Sequence, residues 1–98
     1  MIQHTVMLTW NDSVPVGHAD ACVDALIDMS KTIDTIREYR CGADLGLGAG
    51  TDARFVIVAT FDNVEGWRHY DEHPLHNEIR AKFFKPYVAK RESAQFNF

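Results

Sequence analysis

The sequence predicts an α+β domain in which helices cover one face of a single antiparallel sheet. Three observations carry that expectation: strand-type alternation in the first ten residues, helix-type spacing in two later stretches, and the order of the segments. That order is strand, helix, strand, strand, broken helix, strand, a split β-α-β arrangement. Ninety-eight residues, 46% apolar and 24% charged, suit one ordered domain over residues 1–98 and are too few for two cores.

Residues 2–10 place Ile2, His4, Val6, Leu8 and Trp10 on one strand face and Gln3, Thr5, Met7 and Thr9 on the other, so His4 lies on the more apolar side. Asn11-Asp12-Ser13 supplies turn chemistry, and Pro15 suits the first turn of a helix running to about Lys31. The inward face of that helix follows Cys22, Val23, Leu26, Ile27, Ser30 and Ile33. A second strand is expected near residues 36–45, less regular because Arg37, Glu38 and Arg40 interrupt it. The run Gly46–Asp52 lacks Gly-x-Gly-x-x-Gly spacing and leads into a strand, so it reads as a flexible connection and not as a phosphate cradle. Residues 54–61 put Phe55, Ile57, Ala59 and Phe61 on one face and Val56, Val58 and Thr60 on the other. Both faces are substantially apolar and each needs a cover; in a chain this short the second cover is most simply another subunit.

Asp62-Asn63-Val64-Glu65 has the form of a capping box, with Asp62 as N-cap of a short helix through Trp67 and Tyr70. Pro74 disfavours helical geometry at His73, ends that helix and suits the first turn of the next. Leu75, Ile79, Phe83 and Tyr87 then recur every four residues as a buried stripe, and Pro86 ends the helix near Lys85. Residues 94–98 form the last strand, with Phe96 and Phe98 on one face.

A formal charge of −4, with basic residues scattered and locally offset, argues against a nucleic-acid surface. The densest basic stretch, Arg80 to Arg91, reads as the solvated face of an amphipathic helix. No segment approaches the roughly 20 apolar residues that span a bilayer, and no leader pattern is evident, so a cytoplasmic protein without membrane contact is expected. Cys22 and Cys41 have no metal-type spacing and are expected to be buried reduced thiols.

The chemistry concentrates in Tyr70-Asp71-Glu72-His73-Pro74-Leu75-His76. His4 on the covered strand face, His76 bordering the stripe of the following helix and Tyr70 on the inner side of the preceding one can share the space between sheet and helices. A helix N-terminus and apolar neighbours both disfavour imidazolium, so His76 is expected to be a neutral base and His4 also neutral. A tyrosine hydroxyl nearby would orient an imidazole or donate to a substrate oxygen. A neutral base, a donor and an apolar cavity suit enolisation, and thus aldol, Claisen or isomerisation chemistry on a small carbonyl compound. The competing reading makes these histidines structural, satisfying backbone groups or capping a helix. A metal held by His69, His73 and His76, with Asp71 or Glu72, is a further alternative that Pro74 weakens by interrupting the helix between them. No Gly-x-Ser-x-Gly elbow or nucleotide loop is present, and no cofactor is implied.

Ile-Gln-His-Thr-Val-Met-Leu in the opening strand, Cys41-Gly42 at a strand end and Tyr70-x-x-His73-Pro74-x-His76 together resemble the stress-responsive dimeric α/β-barrel domain family, nearly end to end. The resemblance implies a ferredoxin-like βαββαβ protomer whose sheet pairs with a second copy to form a dimeric α/β barrel. Members include stress-linked plant proteins and a plant polyketide cyclase. By motif position the cyclase's base, orienting tyrosine and pocket histidine correspond to His76, Tyr70 and His4. The chain departs from the family at its last strand, where Asn97-Phe98 stands in place of a frequent Asp-Tyr pair, which alters the charge at that edge.

Two functions follow from this reading: a homodimeric acid/base enzyme acting on an apolar carbonyl-bearing ligand, or a non-catalytic binding or stress-protective protein. A cavity of at least roughly 300 Å³ touching His4, Tyr70 and His76 favours ligand chemistry, and a filled core there favours the alternative.

Overall fold

The computed structural model describes residues 1–48 and 53–98. Its elements run β1 (Ile2–Trp10), α1 (His18–Thr32), β2 (Ile36–Ala43), β3 (Arg54–Phe61), α2 (Val64–Glu72), α3 (Pro74–Ile79), a π turn over Arg80–Phe84, and β4 (Val88–Asn97). The four strands form one sheet in the order β2-β3-β1-β4, and all three pairings are antiparallel. This is the ferredoxin-like βαββαβ fold, with the N-terminal strand β1 inside the sheet between β3 and β4: helical connections separate β1 from β2 and β3 from β4, while the consecutive strands β2 and β3 pair directly. The glycine-rich connection begins at Gly46, which adopts φ +75° as only glycine does readily; residues 49–52 of it lie outside the described residues.

The core is one layer between the sheet and the helices. Val6 and Leu8 of β1 sit opposite Ile57 and Phe55 of β3, and all four are buried in one core with Cys22, Leu26 and Met29 of α1 and with Ile33, which follows it. Met29, not Ser30, completes that helix face, while the Ser30 hydroxyl turns back to the Ile27 carbonyl. Cys22 is buried and Cys41 half-buried; both are free thiols, pushed up to about 11 by burial, so they stay protonated.

Four local expectations change. Helix α1 begins at His18, not at Pro15, because Pro15 heads a turn closed by His18 N–H on its carbonyl and Gly17 follows at φ +77°. Asn63, not Asp62, caps α2: its Oδ1 accepts the Gly66 N–H at 2.9 Å, while Asp62 is drawn away into an ion pair with Arg37 and Glu65 pairs with Arg68. The stripe Leu75, Ile79, Phe83, Tyr87 breaks after Ile79, because the π turn bonds Lys85 N–H to the Arg80 carbonyl and inserts one residue into the repeat. Ile79 and Phe84 are therefore the buried pair, and Phe83 and Tyr87 are half-buried. Finally, β4 starts at Val88, six residues before the expected Ala94, so Lys90 and Arg91 belong to a sheet edge and not to a helix. Its charged residues fall on both faces, as suits an edge strand that must not recruit another chain.

Candidate active site

Pro74 organises the site. It has no N–H to give to the carbonyl of Tyr70, and Leu75 N–H turns to the His73 Nδ1 at 3.1 Å, so the last carbonyls of α2 are released from the helical pattern. Four groups at or beyond the break take them up. His73 N–H bonds the Tyr70 carbonyl, Asn77 Nδ2 bonds that of Glu72, and the Asp71 carbonyl accepts both His76 Nδ1–H, at 3.3 Å, and the Arg80 guanidinium. His73 is thus the cap of α3, and His76 is anchored by the break itself.

The anchor fixes the His76 tautomer. A carbonyl only accepts, so Nδ1 carries the hydrogen and Nε2 is the basic nitrogen. The imidazole is 7% exposed, and burial first, the Arg80 charge second, lower its pKa from 6.5 to about 4. On β1, His4 is 3% exposed and likewise held at about 4, by burial and then by Arg91. Gln95, directly across the ladder on β4, donates from Nε2 to His4 Nδ1 at 2.8 Å, which leaves the His4 hydrogen on Nε2. The two histidines therefore carry complementary nitrogens at neutral pH, one an acceptor and one a donor.

Tyr70 joins them. Its ring stacks on His76, with centroids 4.1 Å apart and planes 25° from parallel, and meets His4 edge-on at 6.0 Å. Its hydroxyl bonds neither imidazole; it lies 3.2 Å from the hydroxyl of Tyr39 on β2. Burial pushes Tyr70 up to about 12 and pushes Tyr39 up as well, so both stay protonated. Tyr39 and Gln95 are site-supporting residues that sequence reasoning missed. Alternation along β2 would have put Tyr39 inward beside Cys41, but the charges around it obscured the pattern; Gln95 becomes visible only once β4 is registered against β1.

His4, Tyr70 and His76 line one cavity of about 430 Å³, together with Val6, Leu8, Leu26 and Ile57 and with Ile79 and Phe84. That volume exceeds the threshold favouring a ligand over a filled core. His69 and His73 stand 5.6 Å apart at the far side of α2, with His73 committed to its cap, and no group of three or more His, Cys, Asp or Glu converges as a metal site among the described residues. Nor is any helix among the described residues long and apolar enough to cross a membrane.

Comparison with known proteins fits this architecture. A dimeric ferredoxin-like protein of unknown function from Thermobifida fusca is 35% identical, with a TM-score of 0.87 over 99% of this chain and 90% of that one. A dimeric protein of unknown function from Bacteroides fragilis is 21% identical, with a TM-score of 0.78 over 99% of this chain and 95% of that one. A hydroxynitrile lyase from Passiflora edulis shares the fold at 19% identity, with a TM-score of 0.79 over 97% of this chain and 90% of that one. No curated protein matches the sequence. The family model for the stress responsive A/B barrel domain matches residues 2–98, and the chain belongs to that family.

Proposed function

We propose that this protein binds an apolar carbonyl compound and catalyses its enolisation, in a cyclisation, aldol, Claisen or isomerisation reaction, with His76 as general base. The observation that carries the proposal is the Asp71 carbonyl on His76 Nδ1, which commits a buried, neutral imidazole to presenting Nε2 as an acceptor beside an apolar cavity. His76 Nε2 takes the α-proton, and the oxygen on which charge develops is met by a neutral donor, for which His4 Nε2–H is suited. Tyr70 holds the His76 ring plane by stacking. That the same fold is found in a hydroxynitrile lyase supports the view that it can host catalysis. Turnover of a panel of polyketide-like and β-keto substrates tests the assignment: His76→Ala is expected to lose at least about a hundredfold in kcat on the best substrate, and full retained activity would refute it.

The active form in this proposal is a homodimer. The sheet face away from the helices carries Met7, Val56 and Val58, half-buried, with Phe96 and Phe98 exposed at its edge, 54% and 64% accessible. A second sheet would cover them, and the 35% identical protein from Thermobifida fusca is dimeric.

A further inference from the structure

The protein as a whole is acidic, yet the wall of its cavity is not. Arg80, Lys85 and Arg91 line it, and no aspartate or glutamate among the described residues does. Arg80 is engaged by the Asp71 carboxylate at 3.3 Å and by Asn77 Oδ1 at 2.6 Å. Lys85 and Arg91 are different: neither has a carboxylate within ion-pairing distance among the described residues. Arg91 stands on β4 opposite Leu8, on the sheet face that carries His4, and its guanidinium hydrogen-bonds only the Ser93 hydroxyl, at 3.2 Å, among the described residues. Lys85 approaches from the end of the π turn. Two cations from separate elements, without counter-charges, thus border an apolar chamber that contains two neutral histidines.

Resting on the pocket reading above, we infer that the ligand is an amphipathic carboxylate, its apolar body against Val6, Leu8, Leu26 and Ile57 and its carboxylate paired with Arg91 and Lys85 at the rim. A planar guanidinium fork matches a carboxylate in two parallel hydrogen bonds, and an ammonium adds charge without demanding geometry. A phosphate is less well served. Phosphate sites draw on backbone N–H groups at a free helix N-terminus or a glycine nest, and here the start of α3 is already capped by His73. The carboxylate would also fix the ligand's orientation, so that the apolar end, and not the charged one, enters beneath Tyr70.

Calorimetric titration of the whole protein with octanoate, 1-octanol, octylamine and octyl phosphate, at pH 7.5 and low salt, tests this with four head groups on one chain. Octanoate is expected to bind at least about tenfold more tightly than octanol, to outcompete octyl phosphate, and to weaken with added salt, while octylamine shows no binding. Arg91→Ala and Lys85→Ala, both exposed positions, are expected to weaken octanoate about three- to tenfold each and to leave octanol unchanged. Equal affinity for octanoate and octanol, preference for octyl phosphate, absence of octanoate binding, or indifference to both substitutions overturns the inference. His76→Gln separates this claim from the catalytic one: it is expected to keep octanoate affinity within about twofold while losing turnover, so anion recognition and the base assignment fail independently.

Discussion

The Tyr70 ring lies against the His76 imidazole while its hydroxyl points away, to Tyr39. Stacking therefore sets the plane of the imidazole, and the hydroxyl serves the protein's interior. Tyr70→Phe keeps the stack and strands the buried Tyr39 hydroxyl; it is expected to cost about 1–3 kcal/mol of stability and to change kcat by less than about fivefold. Tyr39→Phe should behave alike. The double variant should cost less than the sum, with a coupling of about 1 kcal/mol in a urea-unfolding cycle, because no hydroxyl is then left unpaired. A large kcat loss in Tyr70→Phe with unchanged stability would instead assign the hydroxyl to the reaction.

Opposite tautomers at the two histidines are directly measurable. Nitrogen-15 correlation spectra at pH 7 should place the His76 hydrogen on Nδ1 and the His4 hydrogen on Nε2, since the first faces a carbonyl and the second an amide donor. Gln95→Leu should release His4 into a tautomer mixture and leave His76 unchanged. Finding the His76 hydrogen on Nε2 would remove its base from the cavity.

Acid stability follows from the same burial. His4 and His76 titrate at about 4 in the folded protein against 6.5 when exposed. Below pH 6.5 the unfolded chain binds these protons and the folded chain does not, so stability is full above 6.5, declines as pH falls and has lost this contribution near 4. Each histidine contributes up to about 3 kcal/mol over that window. Asp62, held low by Arg37, and Asp44, held low by the Gly46 N–H and Arg54, act only below about 3.8, outside it. Urea unfolding at pH 7 and pH 4.5 should show the loss, and His4→Gln should make the dependence shallower. A flat profile between those values would mean that the histidines are not buried neutral.

The strands and the break at Pro74 were legible because they rest on strong local signals: two-residue alternation in β1 and β3, and a proline without an N–H. The same signals suffice to put His4, Tyr70 and His76 around one space. What was not legible depends on competition between neighbours or on register. Asp62 and Asn63 are both good N-caps, and only the position of Arg37 across the loop decides which is free to cap. The π turn at Arg80–Phe84 has no composition signal, so the stripe Leu75, Ile79, Phe83, Tyr87 overran it. An edge strand bearing Lys90, Arg91 and Glu92 resembles a solvated helix face, and this hid both the length of β4 and the presence of Arg91 at the cavity.

Proton exchange at carbon tests the central claim without knowledge of the natural product. Medium-chain keto acids and the corresponding methyl ketones, incubated with the protein in deuterium oxide near neutral pH, report enolisation as loss of the α-proton resonance. The wild-type protein should accelerate exchange of at least one of them over buffer, and His76→Gln, folded and able to bind, should reduce that acceleration by at least about a hundredfold. Exchange by His76→Gln at the wild-type rate, or no acceleration by the wild-type protein on any member of the set, would contradict His76 as the base.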